Sequence, residues 1–152
     1  MANPFLTLGG IAVGVAMAAL GIVQVPGWIA SAQHAAAVND IQHVKTAQTS
    51  AELAGYGYQS GSEIPVYAER AGLTVAASSG VTVCVTVSTD RGAYAAVATS
   101  ETGRYVAEVG SGKTGEGATA TAALTDAGGL PAGVPVPVTT DGCVTGAGLP
   151  GN

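Results

Sequence analysis

Charge is what this sequence has least of. Only 10% of its 152 residues are Asp, Glu, Lys or Arg, against roughly a quarter in an ordinary soluble domain. The basic residues are Lys45, Arg70, Arg91, Arg104 and Lys113, too thinly spread to form a patch, and the net charge is −5. That balance argues against nucleic-acid or anionic-lipid binding as the main activity, because both need clustered cations. Cysteine is nearly absent too. Cys84 and Cys143 are too far apart for a CxxC redox or zinc motif. In an exported chain they most simply form one disulfide closing a loop of about sixty residues; in a cytosolic one they are two free buried thiols.

Catalytic signatures are missing as well. There is no GxSxG elbow to support a Ser/His/Asp arrangement. His34 and His43 are nine apart rather than at zinc-binding spacing, and Asp40 with His43 reads as a surface i, i+3 pair. Ala107 to Thr114, AEVGSGKT, fits the loose phosphate-loop pattern. That loop works by aiming a following helix's amides at phosphate, and here Gly115 and Gly117 occupy the place where the helix should begin. The expectation is a protein that is not an enzyme and holds no cofactor and no metal.

A long run without charge is what the chain does have. Phe5 to Val25, FLTLGGIAVGVAMAALGIVQV, contains no charged residue, and Gln24 is its only strongly polar side chain. As a helix it would span about 30 Å, the thickness of a bilayer's hydrocarbon core, and in lipid a helix satisfies its own backbone. Gly10 and Gly14 form a GxxxG, and Gly14, Ala18 and Gly21 continue a small-residue surface on which helix backbones can approach closely. No Lys or Arg precedes this run; the first basic residue is Lys45. Signals and anchors normally carry basic residues there. The expectation is a processed chain that has lost a basic leader, the alternative being an initiator Met on an unusual anchor.

Pro26 and Gly27 follow, and they predict a kink or local unwinding. Beyond them Val38, Ile41, Val44, Ala47 or Gln48, Ala51 and Ala54 recur at helical spacing, while Asn39, Asp40, Gln42, His43, Thr46, Thr49 and Glu52 fall on the other side. Gly55 and Gly57 supply the stop. Within the next loop, Ile64-Pro65 reads as extended or turn and VYAERAG as one or two helical turns. The period then changes to two. Val81–Ser88, Ala93–Ser100 and Arg104–Val109 alternate, are rich in β-branched residues and Tyr, and are joined by the hairpin-type connections TDRG and ETG. Val81, Val83, Val85 and Val87 make the face that should pack on the helix, leaving Cys84 with Thr82 and Thr86 on the other. From Gly110 the chain is Gly-, Pro- and Thr-rich, with short extended pieces over Thr119–Thr125 and Val134–Thr140.

The layout resembles the type IV pilin and pseudopilin superfamily. FLTLGG at Phe5 to Gly10 is similar to the family's Phe-Thr-Leu-Ile-Glu opening, and the stretch from Gly21 to Gly57 to its proline-kinked continuation. The family's glutamate, fifth from the mature end, has no counterpart. With Phe5 as first residue that place is Gly9, and with Met1 it is Phe5. The resemblance implies an α+β fold: a long kinked N-terminal helix, apolar then amphipathic, on a three- to four-stranded antiparallel sheet with a disulfide-tied C-terminal loop region. In domain terms, 1–27 is a transmembrane or filament-core helix and 28–152 a globular domain. The latter comprises an amphipathic helix over 28–55, a loop over 56–80, a meander over 81–109 and the Gly/Pro-rich region over 110–152.

The implied function is a pilin polymerising into an extracellular filament, held in the cytoplasmic membrane before assembly. Its partners are further copies of itself, a prepilin peptidase and the inner-membrane assembly machinery. Phe5, Gly10, Gly14, Ala18 and Gly21 would pack the filament core, Pro26 and Gly27 would form the kink, and Cys84 would bond Cys143. That bond would lie on the outer face of the sheet and fasten the segment after Gly110 as a solvent-facing surface for partner contacts. The alternative is a monomeric, membrane-anchored cell-surface binding domain.

Overall fold

The computed structural model describes residues 4–70, 75–110, 112–137 and 143–145, with side chains from Gly27 onward apart from those of Glu69 and Thr145. The chain divides into two units, 1–32 and 33–152.

The first helix, α1 (Pro4–Leu53), is assigned without interruption. The break expected at Pro26 and Gly27 is therefore not confirmed. Proline removes a single amide donor from a helix, which is compatible with helix on both sides, and the Ser31 hydroxyl donates to the Gly27 carbonyl at 2.9 Å. Among the described residues no helix is long and apolar enough to cross a membrane. The side chains of the uncharged run over 5–25 lie outside the described residues. Within the first unit Trp28 is 71% and Ile29 53% exposed.

The helix ends where the glycines predicted it. Gly55 takes a left-handed φ of 82°, its amide donates to the Glu52 carbonyl, and the Tyr56 amide donates to that of Ala51. These are the paired bonds of a Schellman stop. A short helix, α2 (Ile64–Arg70), begins earlier than VYAERAG suggested. Pro65 stands in its first turn, where the missing amide costs nothing.

The sheet has five strands in the order β4-β3-β2-β1-β5, every pairing antiparallel. They are β1 (Val81–Val87), β2 (Tyr94–Ser100), β3 (Tyr105–Val109), β4 (Lys113–Gly117) and β5 (Cys143–Thr145). The first three are the predicted meander, and β4 and β5 bring the sheet to five strands, one more than the three to four expected. Val81, Val83 and Val85 face α1 and pack with Ala37, Ile41, Val44 and Ala47, together with Ala96, Ala98 and Val106. The period-two and helical patterns thus meet in one core, as an unpartnered meander requires.

The second face of the sheet is also covered. A third helix, α3 (Ala120–Asp126), lies where extended chain was expected. Thr119 caps it by accepting from the Ala122 amide at 3.1 Å, leaving one fewer orphan donor at the helix start. Ala120, Ala123, Leu124 and Ala127 pack with Val134 onto Ala95, Val97, Ala107 and Val109. β2 is therefore buried on both sides, which accounts for its alanine-rich, weakly alternating sequence. The region after Gly110 is not a loop fringe. Among its described residues it supplies two strands and a helical layer.

Candidate functional site

The disulfide is the first predicted feature to be placed. Cys84 and Cys143 stand directly opposite each other in the β1–β5 register, are bonded, and have Cα atoms 3.9 Å apart. Cys84 lies opposite Val97 in the pairing with β2, so it is on the face away from α1, as the alternation implied. That face does not simply meet solvent. The Thr86 hydroxyl donates to the Pro135 carbonyl at 2.5 Å, carrying the tail across it, and α3 covers the neighbouring strands.

Polar groups concentrate where α1 meets the sheet and the loops. Asp40, expected on the solvent side, is 3% exposed. Its carboxylate accepts from the Ser78 amide at 2.7 Å and the Ser78 hydroxyl at 2.8 Å, fastening the lead into β1. It forms no pair with His43, which is exposed. Gln48, also fully buried, reads the backbone of Gln59 in both directions, accepting from its amide at 2.7 Å and donating to its carbonyl at 2.6 Å.

Glu108 is the least expected member. It sits in β3 on the α1 side, 1% exposed. The Tyr94 hydroxyl donates to its Oε2, while Oε1 has no hydrogen-bond partner. Burial pushes its carboxyl up; the Tyr94 bond, Lys45 and the Gly112 amide act in the opposite sense. Lys45 donates to the Gly112 carbonyl at 2.9 Å. Tyr58 packs against Tyr94 with ring centroids 4.7 Å apart and donates to Glu52 at 2.7 Å. Burial and that bond push its phenol up to about 12. A period-two reading of RYVAEV puts Glu108 on the same face as Val106, and that was the available signal for a buried carboxylate.

The Gly-Lys-Thr sequence forms no phosphate loop. Val109 ends β3, Lys113 begins β4, and the two pair as the mouth of a hairpin. Lys113 is engaged by Asp126, both at its backbone carbonyl and at Oδ1, 3.4 Å away. Asp126 also accepts from the Glu116 amide at 3.2 Å. That bond first, and Lys113 second, hold its carboxyl below the usual range. His34, unassigned by sequence reasoning, places Nε2 3.1 Å from Glu116 Oε2. Among the described residues no group of three His, Cys, Asp or Glu is placed to hold a metal.

The proposed core-packing residues Phe5, Gly10, Gly14, Ala18 and Gly21 fall within α1, but their packing, like the side chain of Pro26, lies outside what is described. Gly27 is described and exposed, and a Cβ added there would meet nothing within 4 Å. No protein-family model matches the chain, and no curated protein or solved structure matches it.

Proposed function

We propose that the chain is a structural subunit that polymerises through its N-terminal helix into an extracellular, type IV pilus-like filament. The observation that carries this is the uncharged start of α1. No Asp, Glu, Lys or Arg occurs before Asp40, and where side chains are described in this stretch Trp28 and Ile29 stand exposed. An uncharged helix bearing large exposed apolar groups needs an apolar environment. The small residues Gly10, Gly14, Ala18 and Gly21 suit close helix–helix contact better than plain anchoring in lipid. A helix carrying an antiparallel sheet whose last strand is disulfide-tied supports the same reading, because it makes a self-contained head that such a helix can display. On this reading the subunit waits in the cytoplasmic membrane, a prepilin peptidase processes it and an inner-membrane machinery extrudes it. It performs no catalysis.

Electron microscopy of sheared cell-surface material, with peptide identification of this chain in the filaments, tests the proposal. Filaments containing the chain are the expected result. Recovery of the chain solely as single copies in membranes would replace the proposal with the membrane-anchored binding domain.

A further inference from the structure

A cleft of about 390 Å³ opens between the end of α1, the loop that follows and α2, within the range of small-molecule sites. It belongs entirely to the 33–152 unit, so nothing about it depends on polymerisation. Tyr56 and Val66 stand at its mouth, 63% and 52% exposed. Tyr67 meets Tyr56 edge-on, with centroids 5.6 Å apart and planes at 65°. Arg70 closes the α2 end.

The floor of the cleft is set before any ligand arrives. Gln59 Nε2 donates to the carbonyls of Tyr56 and Gly57 at 3.2 and 2.9 Å, and its Oε1 accepts from Arg91 at 3.3 Å. Glu63 Oε1 accepts from Arg91 at 2.6 Å, and Oε2 accepts from the Ser60 amide and hydroxyl at 3.0 and 2.8 Å. Arg91 is itself held in a left-handed conformation, φ 57°, with its carbonyl accepting from the Tyr58 amide at 3.1 Å. These groups have little left to offer a ligand, and the Glu63 charge is already matched.

What the cleft presents outward is different in kind. Arg70 has no ion-pair or hydrogen-bond partner among the described residues, so among them its positive charge is unmatched, in a chain of net charge −5. The Tyr56 ring offers a flat apolar surface. Tyr56, Ser62 and Tyr67 also line the cleft; the Ser62 hydroxyl meets that of Ser60 at 3.2 Å and the Tyr67 hydroxyl that of Ser50 at 3.3 Å, and each keeps further donor or acceptor capacity. A guanidinium fork matches a carboxylate in two parallel bonds. An exposed phenol stacks against the C–H face of a pyranose, and rim hydroxyls suit a polyol.

We propose that this cleft binds an acidic saccharide, with a sugar ring on Tyr56 and its carboxylate on Arg70. A neutral sugar would leave Arg70 unused, and an aromatic acid would leave the rim hydroxyls unused.

The test is isothermal titration of the full chain in detergent micelles with digalacturonate, digalactose and benzoate. Saturable binding of digalacturonate is expected, at least about ten-fold tighter than either other probe, with Arg70→Ala and Tyr56→Ala each weakening it about ten-fold. Perturbation of the Tyr56 and Tyr67 ring-proton resonances of the unsubstituted chain by digalacturonate locates the site without relying on any variant. Absence of binding, equal binding of digalactose or benzoate, unchanged affinity in Arg70→Ala, or resonance shifts confined to other residues would each overturn the proposal.

Discussion

Gly115 and Ala123 approach so closely that α3 sits where a side chain on β4 would have to be. A Cβ at Gly115 would collide with the Ala123 carbonyl oxygen and the Ala127 amide nitrogen, and would lie 2.7 Å from the carbonyl carbon of Asp126. At Gly117 it would lie 2.6 Å from the Ala123 amide nitrogen. All of these obstacles are backbone, which cannot swing aside. Gly115→Ala should therefore push α3 off the sheet and destabilise the fold by at least about 1–3 kcal/mol, the usual scale of overpacking. Urea denaturation checks this, with Gly129→Ala as a contrasting site where space is open and any cost comes from its left-handed backbone.

Cys84→Ser with Cys143→Ser should release β5 from the sheet edge and lower stability by about 3–4 kcal/mol in the chain-entropy account. Guanidinium unfolding of the double variant, compared with the oxidised chain, reads the difference. A loss near zero would mean that the β1–β5 pairing and the Thr86–Pro135 bond hold the tail unaided.

Asp40→Ala removes the acceptor for both the Ser78 amide and the Ser78 hydroxyl. An unpaired amide costs about 1–3 kcal/mol when fully buried, and Ser78 is only partly so, so a loss of about 1–2 kcal/mol is expected in thermal unfolding. Amide exchange should quicken at Ser78 before it does in β2.

Glu108 gives stability a distinctive pH dependence. Its carboxyl is raised on folding, so the folded state favours the protonated form. Its contribution is full below the unfolded carboxyl range and is lost as pH rises through the raised value. Glu63, Asp90 and Asp126, whose carboxyls are lowered, act in the opposite sense and lose their contribution as pH falls. The difference between wild type and Glu108→Gln isolates the first effect. Wild type should lose stability relative to the variant as pH rises from the ordinary glutamate range toward neutrality, and a flat difference curve would contradict this.

Gly14→Leu tests the assembly proposal directly. A large side chain in the GxxxG should block filament formation while the 33–152 unit keeps its disulfide and its circular dichroism. Filaments of normal yield and diameter from that variant would remove close packing at Gly14 from the proposal.

The parts of the fold legible in the sequence were those written in periodic apolar residues. Ile41, Val44 and Ala47 announced the buried face of α1, and Val81, Val83 and Val85 announced the face of β1 that meets it. β4 was illegible because KTGEG has almost no strand-forming side chains. Its glycines serve the approach of α3, a tertiary requirement that overrides propensity. α3 was hidden among threonines that read as extended, although Thr119 followed by alanines and Leu124 carried a cap and a short apolar face. Asp40 misled for a different reason. Polar residues are assigned to solvent by pattern, and the loop that buries Asp40 arrives from Ser78, too far along the chain for any local window to register. The cleft at Tyr56 and Arg70 depends on the same kind of long-range meeting, since Arg91 sets its floor from the turn between β1 and β2.

The strand order fixes a sequence of events in making the molecule. β1 through β4 are neighbours in the chain and in the sheet, so each hairpin can close as soon as its second strand has emerged. β5 reverses that order by returning to β1, with Cys143 separated from Cys84 by 59 positions. Its loop is the longest to close within the sheet, and long-range closures are slow to form. Until it closes, β1 is an open edge able to pair with another chain. Chains still emerging side by side are thus most prone to mispair in that interval, which ends when β5 pairs with β1 and the Cys84–Cys143 bond locks that pairing.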